Sequence, residues 1–388
     1  MKLAFQLAYK NLIGAGLRTW LNVGILAFAF IIIIFYNGML DGWNEQAKHD
    51  SIAWEYGNGH LLHKNYNAFD PFTIQDGHGI LDKKQSENLT PILIRQAAIY
   101  PEGRMLSVAL KGIDTKQNIL ALPMQEVGNS DAQIPVAIGK KMAKSIKMKE
   151  GDKILLRWRD KNGTFDAANV TIAKIFDTDV PTIDKGQIWL PIEKLWQMTG
   201  LQNHATLFVA NENFEAEKAK NLNNWTFQSQ NELLKTLNEI IEVKKASGSI
   251  MYLLLLAIAL LAIFDTQVLS VFRRQREIGT YIALGMTRQQ VVSLFTVEGS
   301  MYSFFAMFIG CIFGIPLFVY LATTGIAFPE VTQDMGIAMA SRIFPVYGVS
   351  LIITTIILII LSATIVSFLP ARKIANMNPV DALKGKIQ

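Results

Sequence analysis

Four long apolar segments divide the chain into membrane-spanning and non-membrane parts. A helix needs about 20 mostly apolar residues to cross the hydrocarbon core of a bilayer, and residues 20–40, 250–272, 297–322 and 346–369 meet that length. Residues 41–249 mix polar and apolar positions, as soluble domains do. The pattern predicts an α-helical membrane protein with four transmembrane helices and a large domain between helices 1 and 2.

The domain between the first two spans has an α+β pattern. Short apolar runs bounded by turn residues predict strands, as in GHLLH, RMLSVALKGID and KGQIWLP. Helical patterns lie between them, at GKKMAKSIKM and LPIEKLWQMTG. From about Asn231 to Ser249 the pattern is again helical and predicts a stalk that runs into the second span. A rigid stalk transmits motion between domain and membrane, whereas a flexible linker does not.

Residues 1–19 and the first span could together be either a membrane anchor or a cleaved signal peptide. The apolar run is too long for a signal peptide, and no small-residue cleavage site follows it. We therefore expect residues 1–19 to form an amphipathic elbow helix on the membrane surface and residues 20–40 to be a retained helix.

Charge predicts how the spans are oriented. With the N-terminus inside, the inner segments 1–19, 273–296 and 370–388 hold 11 basic and 2 acidic residues, whereas residues 41–249 hold 25 basic and 26 acidic residues. Basic residues beside spans favour the cytoplasm. Both termini are therefore expected in the cytoplasm, with residues 41–249 and the short loop 323–345 outside. The net charge of +5 then reflects topology and gives no reason to expect nucleic-acid binding.

The chain composition excludes two other classes of protein. Hydrophobic residues make up 51% of the 388 residues, which excludes a disordered chain. A single cysteine excludes a disulfide-stabilised scaffold.

The inner segment 273–296 carries apolar side chains that a simple loop does not need. Around it the chain reads LSVFRRQREIGTYIALGMTRQQVVSLFTVEG, which predicts a basic stretch, a short helix, a break at Gly285 and a second helix. A short connecting loop explains the arginines but not Ile278, Tyr281 and Leu284. Exposed apolar residues on a short helix are typical of docking into the groove of a partner.

These strings resemble the FtsX-like ABC transporter permeases. RRQREIGTYIALGMTRQQVV followed by FTVEG is similar to the coupling-helix region of that family. LAYKNLIGAGLRTWLNVGILAFAF looks like its N-terminal elbow and first span, and LPARKIANMNPVDALKG like its C-terminal tail. The middle strings VAIGKKMAKSIKMKEGDKILL and GQIWLPIEKLWQMTG resemble the macrolide-exporter and lipoprotein-releasing (Lol-type) members.

The resemblance implies a permease subunit that is not itself an enzyme. Two permease subunits, identical or homologous, would pair in the bacterial inner membrane above a separate ABC ATPase dimer, which binds ATP and Mg²⁺. ATP-driven closure would move the periplasmic domain, a mechanism called mechanotransmission. The chain has no G-x-x-x-x-G-K-[ST] motif, so neither a catalytic residue nor a cofactor is expected on it. The implied ATPase-docking residues are Arg276, Glu277, Ile278, Gly279, Tyr281, Ile282, Ala283, Leu284 and Gly285.

The substrate class is open at the sequence level. The resemblance favours a lipidated or amphipathic substrate, with release of lipoproteins from the inner membrane as the first expectation. A signalling permease that transmits force to a cell-wall hydrolase or sensor is the main alternative. An exporter of periplasmic peptides or drugs, and a membrane sensor without an ATPase, are the others.

Polar residues within the second span have two interpretations. Asp265, with Gln267 nearby, could hydrogen-bond across an interface between subunits. Alternatively, Asp265 lies near the cytoplasmic end, hydrated or paired with Arg273 or Arg274. A carboxylate at mid-bilayer costs at least ~2.5 kcal/mol, which makes Asp265 a residue to locate in the structure.

Two further patterns have an ordinary and a functional explanation. Ala306, Gly310 and Gly314 recur at every fourth position of the third span, which predicts helix packing, within the chain or between subunits. His60 and His63 are a weak metal motif, since zinc sites usually have three or four ligands. We therefore expect no metal.

Overall fold

The computed structural model describes residues 16–82, 84–219, 222–328 and 340–376. Three predicted features lie wholly or partly outside the described residues. They are the elbow helix up to residue 15, residues 329–339 of the short outer loop, and the tail beyond residue 376.

Within these described ranges, four helices are long and apolar enough to cross a membrane, in agreement with the four predicted spans. They are α1 (Leu17–Ser51), α8 (Lys235–Arg273), α10 (Arg288–Thr324) and α11 (Val349–Arg372). The first three extend well beyond the predicted apolar runs. Helix α8 contains most of the segment whose pattern predicts a stalk.

The remaining elements are shorter. The strands are β1 (Gly59–His63), β2 (Leu89–Ile99), β3 (Leu106–Ile113), β4 (Pro135–Gly139), β5 (Lys153–Arg159), β6 (Phe165–Phe176), β7 (Gln187–Pro191), β8 (Leu207–Ala210), β9 (Trp225–Ser229), β10 (Ile326–Ala327) and β11 (Arg342–Ile343). The short helices are α2 (Met124–Gly128), α3 (Lys140–Ile146), α4 (Pro181–Asp184), α5 (Ile192–Thr199), α6 (Ala216–Ala219), α7 (Gln230–Leu233) and α9 (Gln275–Ala283).

The chain forms two compact units. One, called here the membrane unit, comprises the described parts of Met1–Gly42, Ile241–Ile326 and Phe344–Gln388. The other, the sheet unit, comprises the described parts of Trp43–Ile240 and Ala327–Ile343.

The sheet unit is α+β and is built on one nine-stranded sheet. Its strand order is β3-β7-β4-β6-β5-β2-β8-β1-β9, and an additional pairing of β2 with β3 closes six of these strands into a ring. The longest pairing joins β2 and β3 antiparallel, from Ile92 opposite Ile113 to Ile99 opposite Leu106. Apolar side chains inside the ring form a core that includes Leu110 and Leu156, both fully buried. Closure protects the ring strands from pairing with other chains.

The sequence pattern does not predict three strands of the nine-stranded sheet. These are β2, β4 and β9, and β2 is central because it pairs with β3, β5 and β8. Pro91 near the start of β2 weakens the strand pattern, since proline lacks the backbone N–H that a central strand donates. Long-range pairing overrides that local signal.

The membrane unit packs its four long helices around an apolar core. Ala306 is fully buried in that core. A methyl group on Gly310 would come 2.6 Å from a ring carbon of Phe30, and one on Gly314 would come 3.4 Å from Ile31. The small residues of α10 therefore let α1 of the same chain approach closely.

Candidate functional site

A sharp break after α8 produces the short helix α9. Arg274 has φ −102° and ψ 22°, which interrupts the helix for one residue before α9 begins at Gln275. Gly285 follows α9 with φ +100°, a conformation that glycine adopts without strain. Thr287 then begins α10 with a capping box, since its hydroxyl accepts from the Gln290 amide at 3.3 Å while Gln290 Oε1 accepts from the Thr287 amide at 2.8 Å.

Arg274 joins α9 to α10. Its Nη1 donates to both carboxylate oxygens of Glu298, at 2.9 and 2.8 Å, and its Nε donates to Glu277 Oε2 at 2.7 Å. The guanidinium carbon also lies 4.8 Å from the ring centroid of Phe295. The side chains of Arg274 and Glu298 are only 18% and 11% exposed, so water screens this pair less than a surface pair. The orientation of α9 is therefore set by a partly buried ion pair.

The inner face of α9 packs on the chain itself. Ile278 is fully buried, and Tyr281, Ile282 and Met286 pack against the same apolar cluster. The cluster consists of Val271, Ile278, Val291, Val292, Phe295, Ala371 and Ile374. This corrects part of the sequence interpretation, because Ile278 and the buried Gly279 are covered by their own chain. Their apolar character holds α9 against the spans.

The outer face of α9 remains available to a partner. Leu284 is 79% exposed, although it is a large apolar residue. Arg276, Glu277, Ala283 and Gly285 are also exposed. The predicted docking set thus divides into an exposed group and a group that packs inward.

Asp265 and Gln267 point in different directions on α8. Asp265 is exposed on the outside of the membrane unit, and among the described residues it has no hydrogen bond or ion pair. Arg274, which the sequence suggested as a partner of Asp265, instead forms an ion pair with Glu298. Gln267 is 2% exposed, and a methyl group on Gly299 would come 2.9 Å from its Nε2. The structure therefore does not bring Asp265 and Gln267 together.

The histidines of β1 lie in separate surroundings. His60 Nε2 is 2.9 Å from the carbonyl oxygen of Glu55, and burial lowers the pKa of His60. The His63 ring packs edge-on against Trp225, with centroids 5.2 Å apart. Within the described ranges, no group of three or more His, Cys, Asp or Glu residues is placed to hold a metal ion.

A second histidine pair was not anticipated from the sequence. His78 Nδ1 lies 2.9 Å from His204 Nδ1, so one ring donates a proton that the other accepts. Burial, followed by the charges of His204 and Arg95, lowers the pKa of His78 to about 4. The two histidines are 126 residues apart in the chain, which no local pattern could reveal.

The sheet unit also presents two exposed aromatic residues on an ordered turn. Phe69 is 95% exposed and Phe72 is 89% exposed. Asn67 Oδ1 accepts from the Phe69 amide at 3.0 Å, and Asp70 Oδ1 accepts from the Phe72 amide at 3.0 Å. The Thr73 hydroxyl accepts from the Asn67 amide at 2.9 Å. These bonds hold the backbone of the turn while both rings face solvent.

Comparison with known proteins finds a family match in the C-terminal third of the chain. Residues 249–379 match the family model described as FtsX-like permease C-terminal. An uncharacterized ABC transporter permease of Methanocaldococcus jannaschii is 24% identical over 155 residues, which are 40% of this chain and 36% of that relative. The chain therefore aligns with about a third of the length of this curated relative.

Among solved structures, one match falls on the non-membrane part of a transporter. It is the extracellular domain of the noncanonic ABC-type transporter YknZ from Gram-positive bacteria, with 12% identity and a TM-score of 0.25. The match covers 47% of this chain and 94% of that domain. Residues 249–379 are therefore similar to the FtsX-like permeases, and the archaeal relative that the chain matches is an ABC transporter permease.

Proposed function

We propose that the chain is the membrane subunit of a mechanotransmission-type ABC transporter. A separate ABC ATPase dimer binds ATP and Mg²⁺ and grips α9, and this chain contributes no catalytic residue. A second permease subunit, identical or homologous, completes the complex in the bacterial inner membrane. Both termini are cytoplasmic, and the sheet unit handles a lipidated or amphipathic substrate in the periplasm.

The observation that carries this proposal is the way α9 is held between two membrane-spanning helices. A nine-residue helix sits between two membrane-spanning helices and is fixed by the Arg274–Glu298 pair. An exposed leucine, Leu284, stands beside it. Because α9 is held rigidly against the spans, a displacement of α9 moves the spans with it, as a coupling element requires.

The Phe69–Phe72 turn supports an amphipathic substrate. Each exposed phenylalanine ring keeps apolar area in water at about 25 cal/mol per Å². An acyl chain or another apolar partner would remove that cost. Lipoprotein release is therefore the function that we place first, ahead of a signalling permease and an exporter of peptides or drugs.

Reconstitution tests the proposal directly. The chain, its ATPase and any second permease would be placed in proteoliposomes together with a lipid-anchored protein, and release of that protein on adding ATP would be measured. We expect release in the wild-type complex and little release from the double variant Phe69→Ser/Phe72→Ser. Met105→Ser is the matched control, because Met105 is 66% exposed elsewhere in the sheet unit.

The outcomes separate the candidate functions. ATP hydrolysis without release of any lipidated protein would contradict lipoprotein release and leave signalling or export of another substrate. If the purified chain bound no ABC ATPase, that result would contradict the whole proposal.

Membrane orientation has its own test. A cysteine at Thr280, introduced on a Cys311→Ser background, would be probed with an impermeant maleimide. We expect labelling only after the cells are opened. Labelling of intact cells would place α9 outside and overturn the proposal.

A further inference from the structure

A cavity lies between α8 and α11 at the end of the membrane unit where α9 begins. Its volume is about 210 Å³. It is lined by Phe264, Val268, Val271, Phe272, Leu369, Pro370 and Lys373. Six of these seven residues are apolar, and sites for drug-sized ligands usually measure about 300–1,000 Å³. The cavity therefore suits part of an acyl chain better than a soluble ligand.

The cavity combines one continuous apolar face with a basic rim. Phe264, Val268, Val271 and Phe272 follow the spacing of a single helix face on α8. Lys373 is exposed and lies at the opposite wall, just after α11. The long side chain of a lysine can lie along apolar surface while its ammonium group reaches the headgroup level.

The basic charges at this rim are uncompensated within the described chain. Arg273 adjoins Phe272, Arg372 adjoins Lys373, and all three basic side chains are exposed. None of the three forms an ion pair with a described residue, whereas Arg274 is neutralised by Glu277 and Glu298. Basic pockets between transmembrane helices are suited to acidic lipid headgroups.

We propose that this cavity binds an anionic phospholipid, with an acyl chain against Val268 and Phe264 and the phosphate beside Lys373, Arg273 and Arg372. The inference goes beyond the transport function and needs only that the chain spans a membrane. It assigns a lipid as a bound component of the membrane unit, distinct from any substrate in the periplasm. A membrane rich in anionic lipid would then stabilise the end of the unit that holds α9.

The experiment measures lipid retained by the full-length chain. The chain would be purified in detergent from mixed phosphatidylglycerol and phosphatidylcholine, and its bound lipid would be counted by native mass spectrometry. We expect phosphatidylglycerol to be retained in preference to phosphatidylcholine. Arg273→Gln and Lys373→Gln should each weaken that preference roughly fivefold, since one basic residue contributes about 1 kcal/mol.

Two controls separate the site from general charge and size effects. Arg276→Gln removes an exposed basic residue of α9 that does not line the cavity, and it should leave the preference unchanged. Val268→Trp fills the cavity and should abolish retention of both lipids. Ile258→Trp makes the same change at a position on α8 that is 62% exposed. This variant should retain both lipids as the wild-type chain does.

Three results would overturn the proposal. Equal retention of the two lipids would remove the selectivity for anionic headgroups. Retention unaffected by Val268→Trp would place the lipid elsewhere. Loss of a dimer in Val268→Trp, with lipid retention intact, would identify the cavity as a contact between subunits.

Discussion

Arg274 Nη1 lies 2.8 Å from Glu298 Oε2, across 24 residues of chain that contain all of α9. This ion pair closes the segment between the second and third spans into a loop held at its base. Glu298 lies at the predicted border of an apolar span, where an unpaired carboxylate would be costly. The carboxylate of Glu298 is tolerated there because it accepts hydrogen bonds from the Arg274 guanidinium.

Replacing Glu298 with Ala should loosen α9. The guanidinium of Arg274 would lose its least exposed partner, and charged hydrogen bonds of this kind contribute about 1.5–3 kcal/mol. We expect a lower midpoint of thermal unfolding in detergent and a loss of ATP-driven release. For the unfolding midpoint alone, Glu277→Ala is the control, because Glu277 is 54% exposed and exposed pairs contribute about 0.2–1 kcal/mol. Equal shifts of the unfolding midpoint in the two variants would contradict the proposal that the Arg274–Glu298 pair holds α9 in place.

Replacing Leu284 with Asp should uncouple the ATPase. The side chain is 79% exposed, so the fold should tolerate the change, while a charge would disrupt an apolar contact with a partner. We expect normal membrane insertion with at least a tenfold weaker association with the ATPase, about 1.4 kcal/mol, measured by co-purification. Leu155→Asp makes the same change at a 42% exposed position of β5 and should have no such effect. Full coupling in the Leu284 variant would remove it from the interface.

Replacing Asp265 with Ala should weaken the association between permease subunits. An exposed carboxylate within a span costs at least about 2.5 kcal/mol unless a partner or water compensates it, and no described residue of the chain pairs with it. We therefore expect a group of the second permease subunit to offset the cost of the Asp265 carboxylate. Crosslinking of subunits in membranes and ATP-driven release would both fall, whereas Leu261→Ala on the same helix would change neither. Unchanged values for Asp265→Ala would assign it to water at the helix end.

Replacing Gly310 with Ala should destabilise the membrane unit. The new methyl group would press on the Phe30 ring, and overpacking of a core costs typically about 1–3 kcal/mol. Gly24→Ala is the control, since no atom of the described residues, apart from the adjacent backbone of its own helix, lies within 4 Å of the position its methyl group would take. Alanine also favours a helix over glycine by about 1 kcal/mol. We expect the midpoint of thermal unfolding to fall for Gly310→Ala only.

The His78–His204 pair predicts a stability change in mild acid. The pKa of folded His78 is about 4, below the usual value of about 6.5, so the unfolded chain binds more protons between these values. Stability should therefore fall as the pH drops from about 6.5 to about 4. His78→Asn should reduce this dependence of the unfolding midpoint on pH, while His49→Asn, at an exposed position, should not. An unchanged pH profile in His78→Asn would contradict the assignment.

The exposed phenylalanines could not be singled out from the sequence. Phe69 and Phe72 lie in a polar stretch with turn residues, where an aromatic side chain can equally fold inward. The backbone bonds made by Asn67 and Asp70 fix the turn so that both rings point outward. Exposure is a property of the whole fold, and no local pattern encodes it.

The order of the spans, the break at Gly285 and the existence of α9 all follow from the sequence alone. Each depends on interactions between neighbouring residues: apolar length, the φ freedom of glycine and helix caps. Tertiary structure decides which face of α9 is free. Ile278 and Leu284 are equally apolar in the chain, yet Ile278 is buried and Leu284 is exposed. The partner of Glu298 and the closure of β2 onto β3 are likewise set by contacts between distant residues.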